Sequence, residues 1–277
     1  MIVDLVSPWA AAADSASAQA AWRTRHATLL ETLRRQRAPH TTAYPLATDP
    51  TELHQLGLRA SDPERQQLLR NAVSSAFEVG VDTEASVMLL AGGDAGDPVE
   101  PLPGPAAKVA IFLERCHDDT DLIVALARGL VAVTRWSCRD SMSVIRALKA
   151  VPWDRWQLAR EVPLGEWLYT EGLGLHLAQQ LLPDLPAHRL LGISVGALHR
   201  LRDREHTLRA LLDADIDHAG LGLVLRWLTP DTPASTRTTG NTVLPAGAGH
   251  YLAWRMVAKR IERVGIGEAV RMGVEEK

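Results

Sequence analysis

The chain has 277 residues, 46% of them apolar and 23% charged, which is ordinary for a globular protein able to bury a substantial core. Its formal net charge is -3 with a pI near 6.4, so a broad basic face for phosphate backbones is excluded and nucleic-acid binding is not expected. Of the 30 basic residues only Lys108, Lys149, Lys259 and Lys277 are lysines, a bias that reports genome composition more than function.

The opening stretch MIVDLVSPWAAAADSASAQAAW has some Ala-x-Ala character. However, Asp4 stands where a signal peptide needs positive charge, and the apolar run is too short. No uninterrupted apolar window of spanning length follows, so membrane insertion is not expected and a cytoplasmic location is. From about Ala11 to Arg37 the residues Trp22, His26, Leu29, Leu30 and Leu33 recur at helical spacing. Pro39 ends that pattern. A second helix is predicted through PERQQLLRNAVSSAFEVG, with Asp62 as N-cap, Pro63 in the first turn and Gly80 at the end.

Two strands follow, near residues 85–91 and 107–114, within the runs ASVMLLAGG (85–93) and AKVAIFLER (107–115). The stretch between them, DAGDPVEPLPGP, reads as a loop because of its prolines and glycines. Next comes CHDDTD, residues 116–121. Its aspartates suit the capped first turn of a helix from Leu122, with a metal cluster on His117 and Asp118 as the sharper alternative. The two cysteines, Cys116 and Cys138, are expected to be reduced and structural.

Helices dominate the remainder. They are expected at 140–150, from Leu164 to Leu182, within the stretch running from Ala187 to Asp215, at 221–228 and from about Gly249 onward. Residues 230–249 form a long polar loop without periodicity. The expected class is α+β and mostly helical, with a small sheet. An N-terminal helical region, residues 1–80, and the remainder, 81–277, are expected to form one compact unit.

Three segments carry a resemblance. LARGLVAVTRW, Leu126 to Trp136, has the apolar character of a helix that carries two zinc-binding histidines one turn apart. EWLYTEGLGLHLAQQL, from Glu166, looks like the helix presenting a third, glutamate ligand. AGHYLAWRMVAKRIERVG, from Ala248, is similar to a closing Tyr/Arg helix. In this order they resemble the gluzincin-type bacterial predicted zinc-dependent proteases over roughly residues 85–270. The resemblance implies a zincin-like domain with the first histidine at Arg128, the general base at Gly129, the second histidine at Ala132 and the third ligand at Glu171.

Arginine offers a cation no lone pair, and glycine and alanine offer no functional side chain. The resemblance therefore implies a site without zinc, a catalytically inactive relative that binds a peptide or protein in the former cleft. An unpaired buried Glu171 would be costly, so Arg128 is expected to bridge to it. His176, His250, Tyr251 and Trp136 are candidate cleft residues, with Trp153, Trp156 and Trp167 around them.

Plainer readings stand beside these. The Leu126–Trp136 helix is then a buried helix with Arg128 and Arg135 on one polar edge, Glu171 an exposed residue, and His176 and Tyr251 packing residues. Gly172 and Gly174 favour close approach of another backbone. Two other functional classes remain open: an active hydrolase with an atypical ligand set from His117, Asp118, Glu171, His176 or His250, and a structural or assembly protein. An open or filled cleft between the helices at 122–136 and 166–182 separates the latter from a binding protein.

Overall fold

The computed structural model describes residues 1–13, 15–36, 49–81, 85–91, 97–102, 107–137, 155–229, 237–239 and 242–274. The expected helix at 140–150, Cys138, Trp153, the Trp156 side chain and residues 230–236 and 240–241 of the expected loop lie outside the described residues. Four strands form a mixed sheet in the order β1 (Ile2–Asp4), β2 (Ser86–Leu90), β4 (Lys108–Phe112), β3 (Val99–Leu102). β1 and β2, and β2 and β4, run parallel, with Val87 opposite both Ile2 and Val109. β3 is antiparallel to β4, with Val99 opposite Ile111.

Both expected strands are therefore present, and two more flank them. β1 is only three residues long, and β3 carries Pro101. Proline cannot donate to a ladder, so it is tolerated at the outer edge where β3 lies. Val109 to Phe112 are all buried, which marks a sheet covered on both faces and explains why alternation is weak in its sequence.

A short helix, α1 (Val6–Ala11), precedes the N-terminal pattern, which itself forms α2 (Ala16–Arg25) and α3 (Ala27–Gln36). The single helix expected over Ala11–Arg37 is thus divided. Ser15 starts α2 by accepting from the Ala18 amide, and the break falls at His26, whose ring lies 4.9 Å from that of Trp22. α4 (Pro50–Ser61) and α5 (Pro63–Glu78) follow. α5 has the expected signals: Asp62 accepts from the Glu64 amide, and Gly80 adopts a φ of +85°. β1 shares the sheet with β2, so the N-terminal region and the rest of the chain contribute to one core.

Past the sheet run α6 (Asp119–Ser137), α7 (Arg155–Glu161), α8 (Leu164–Leu181), α9 (Ala187–Leu190), α10 (Val195–Asp203), α11 (Glu205–Asp215), α12 (Leu221–Leu228), α13 (Ala248–Val264) and α14 (Ile266–Arg271). Two short antiparallel pieces, β5 (Thr238–Thr239) and β6 (Thr242–Val243), lie in the expected polar loop. α6 begins as its aspartates require: Asp118 accepts from the Asp121 amide, and Asp121 accepts from that of His117. Among the described residues no helix is long and apolar enough to cross a membrane.

The glycines of the central helices record how closely these elements meet. A Cβ on Gly129 would lie 2.3 Å from Val109 Cγ1 and 2.8 Å from Val99 Cγ2, so α6 is pressed onto β4 and β3. On α8, a Cβ on Gly172 would lie 2.2 Å from the Ala253 carbonyl oxygen of α13, and one on Gly174 would lie 2.7 Å from the Arg128 Cα of α6. α8 is thus sandwiched between two helices whose backbones come within reach only because these positions lack side chains. This is the close approach that the two glycines signal in the sequence.

Candidate functional site

Because Gly174 admits α6 so closely, the Arg128 side chain leaves α6 beside the Glu171 side chain of α8. Arg128 Nε donates to Glu171 Oε2 at 2.7 Å. The outer edge of the same guanidinium donates to both oxygens of Asp97, at 2.9 and 2.6 Å. Asp97 lies two residues before β3, so the arginine fastens sheet edge, α6 and α8 together. The pair expected between residues 128 and 171 is present, and Asp97 is a partner the sequence did not announce.

All three side chains are largely buried, at 9% exposure for Arg128, 13% for Asp97 and 20% for Glu171. Burial alone would weaken the hold of the guanidinium on its proton, but the charges of Asp97 and Glu171 outweigh it and raise the Arg128 pKa. The bidentate fork to Asp97 with a third bond to Glu171 is the arrangement for which a planar guanidinium is suited and an ammonium is not.

Arg128 contributes to the walls of two spaces. One is a cleft of only about 20 Å³, shared with Ala132, Trp136, Trp167, Asp97 and Glu171, room for about one water molecule. Trp136 and Trp167 close it with ring centroids 5.1 Å apart. The cleft expected between α6 and α8 is therefore nearly filled. The other space is a cavity of about 570 Å³ among α6, α9, the start of α13 and the turn at 115–118.

The named candidates divide between these places. Arg128, Ala132, Glu171 and Trp136 meet at the small cleft. His250 lies on the wall of the large cavity, together with His117 and Asp118. Gly129 faces the sheet, and packing against Val109 and Val99 is sufficient reason for glycine there. His176 is not on either wall: its Nε2 is 2.9 Å from the Trp254 carbonyl oxygen, at the α8–α13 contact. Nor is Tyr251, whose hydroxyl donates to Glu205 of α11 at 2.5 Å, with burial and then Glu205 pushing its pKa up to about 12.

His250 is 9% exposed, and its imidazole has no hydrogen-bond partner among the described residues. Burial first, then the nearby positive charge of Arg128, lowers its pKa below 6.5, against the opposing pull of Glu171 and Asp97. It is a neutral imidazole at neutral pH. Asp118 is engaged with Arg189 at 2.6 Å. Among the described residues, no three His, Cys, Asp or Glu side chains gather in a way that could hold a metal ion. Cys116 is a buried free thiol, its pKa pushed up to about 12 by burial and then by Asp121.

A second buried arginine was read in the sequence only as part of a polar edge. Arg135, 1% exposed, donates from Nη2 to Glu166 at 2.6 Å, from Nε to Thr170 at 3.0 Å and from Nη1 to the Met272 carbonyl at 2.6 Å. Glu166 also accepts from the Val274 amide at 3.1 Å. The α6–α8 interface is thus bolted by two arginines of α6, each to a glutamate of α8. Arg135 additionally ties down the chain beyond α14.

No protein-family profile matches the chain, and neither a curated protein nor a solved structure matches it.

Proposed function

We propose that this chain is a non-catalytic binding protein on a metallopeptidase-like framework, taking a peptide or protein segment beside the position where such enzymes carry their ion. The observation that carries the proposal is the contact of Arg128 with Glu171. The sequence resemblance assigns these two residues to the first and third metal ligands, and an alignment of unrelated helices gives no reason for them to touch. Here a cation that cannot be displaced at working pH occupies the centre of the constellation, already engaged by two carboxylates. Neither a Lewis acid nor a general base is supplied by Arg128, Gly129 or Ala132.

Binding is assigned to the larger cavity, since the cleft between α6 and α8 holds about one water molecule. At about 570 Å³ the cavity falls in the ~300–1,000 Å³ range of small-ligand sites. Its wall mixes apolar side chains such as Val124, Leu175 and Ile193 with charged groups and imidazoles. The filled small cleft favours a second reading, a structural or assembly protein in which Arg128 serves packing alone.

The test is to purify the protein without chelators, measure its transition-metal content, and incubate it with a fluorogenic peptide mixture. Substoichiometric metal, no cleavage and saturable retention of peptides are expected. One metal ion per chain with chelator-sensitive cleavage would establish the active-hydrolase alternative instead. No cleavage and no retention would favour the structural reading.

A further inference from the structure

The charges on the wall of the 570 Å³ cavity are almost all satisfied within the fold. Arg128 is held by Asp97 and Glu171, and Arg189 by Asp118 at 2.6 Å and Asp121 at 3.9 Å. Asp118 and Asp121 additionally accept backbone amides of the α6 N-terminus. Arg115 is different. It lies just beyond β4, on the same wall, and its Nε is buried with no hydrogen-bond partner. Among the described residues its guanidinium has no ion pair. A guanidinium is a cation that presents donors only, so what is missing is an anionic acceptor.

His250 supplies the second observation. It is nine-tenths buried, it lines the same cavity, and its imidazole is likewise without a hydrogen-bond partner among the described residues. A neutral imidazole has one donor and one acceptor nitrogen. Among the described residues, the buried Nε of Arg115 and the His250 imidazole are thus left unused on one space that also has an apolar wall, with Val124, Leu175, Leu190 and Ile193.

We infer that this cavity takes the C-terminal carboxylate of a peptide with apolar last residues, the carboxylate docking on Arg115 and a terminal amide or carboxylate oxygen meeting His250. The inference rests on the binding function proposed above and specifies its ligand. The Arg115 guanidinium matches one negative charge, and a planar carboxylate suits its fork. A phosphate dianion would bring two charges to a wall that also carries Asp118 and Asp121, and on which Arg115 is the one arginine without an ion pair among the described residues. The apolar wall accounts for the side chains next to the terminus, and the imidazole can bond a peptide group, which a simple fatty carboxylate lacks.

The experiment uses the full chain, immobilised, and a synthetic library of random hexapeptides prepared half with free C-termini and half as C-terminal amides. Retained peptides are quantified by mass spectrometry, for the natural chain and for Arg115→Gln and Arg115→Lys. Free-acid peptides ending in apolar residues should be enriched over their amides by about thirtyfold, the scale for removing one partner of a buried charge pair. Arg115→Gln should erase the enrichment and Arg115→Lys should keep part of it. Equal retention of acids and amides would overturn the carboxylate assignment while leaving peptide binding intact. Undiminished enrichment in a folded Arg115→Gln would overturn the role of Arg115. Retention of neither form would overturn both the assignment and the binding function on which it rests. The acid-to-amide comparison on the natural chain decides the main point even where a variant fails to fold.

Discussion

Arg128 and Glu171 stand 43 positions apart in the sequence, on different helices, yet their side chains meet at 2.7 Å. The contact depends on Gly174, where α8 has no Cβ to hold the Arg128 backbone away, and on Asp97, which takes the other two donors of the guanidinium. A buried arginine between two carboxylates engages both of them by hydrogen bonds, although the trio keeps a net charge of about -1.

The packing role of the glycines predicts opposite outcomes at two helical positions. A methyl at Gly172 would meet the Ala253 carbonyl oxygen at 2.2 Å, a backbone atom that cannot step aside. Gly172→Ala should lower the free energy of unfolding by about 1–3 kcal/mol or more, the scale of core overpacking. Gly222, in α12, would place its methyl in open space. Gly222→Ala should be neutral or stabilising by up to about 1 kcal/mol through helix propensity. Urea unfolding of both variants checks the contrast.

Arg135 should be among the most sensitive side chains in the protein. Arg135→Met removes the partner of Glu166 in a setting where both are buried and should cost about 3–5 kcal/mol. Arg135→Lys keeps the charge but cannot reach Glu166, Thr170 and the Met272 carbonyl together, so an intermediate loss is expected. Limited proteolysis should show the segment around Met272 becoming susceptible first in both variants, because Arg135 and Glu166 anchor it.

The depressed pKa of His250 gives stability a pH dependence of definite sign. Its folded value lies below 6.5, the value in the unfolded chain. As pH falls through 6.5 the unfolded chain takes up this proton first, so stability declines below that point and is unaffected above it. The slope from one group cannot exceed about 1.4 kcal/mol per pH unit. His250→Gln should therefore lose less stability than the natural chain on going from about pH 7.5 to about pH 5. His176 and His26 are depressed in the same direction by burial and stay in the variant, so a residual slope is expected. Thermal unfolding across that range, compared between the two proteins, isolates His250. Parallel profiles would contradict the assignment.

Much of the fold was legible where local chemistry and element identity coincide. Asp62, Pro63 and Gly80 mark α5, and the dense apolar runs mark β2, β4, α6 and α8. Gly172 and Gly174 announced close backbones without saying whose. What escaped was set by non-local pairing. β1 is three residues whose strand character comes only from lying beside β2, and β3 hides in a proline-rich stretch that an edge position permits. α4 went unread although Asp49 caps it and Pro50 opens it.

At the site, the pairing of residues 128 and 171 follows from the resemblance together with charge. Asp97 does not follow from either, because it sits in a stretch without periodicity and joins the site only when β3 folds back antiparallel to β4. Tyr251 and His176 were placed near the cleft by helix membership alone. Their positions around α13 and α8 turn them toward Glu205 and Trp254 instead. Arg115 left no signal in the sequence at all. Its significance lies in what fails to face it.

The measurement that tests the central claim most directly is a double-mutant cycle on Arg128→Met and Glu171→Gln, read by chemical unfolding with the doubly substituted chain. If Arg128 holds Glu171 in place of an ion, the two substitutions should be coupled by about 1.5–3 kcal/mol, the scale of a hydrogen bond to a charged group. Effects that simply add, within about 0.5 kcal/mol, would mean that the two side chains do not depend on each other, and would contradict the account.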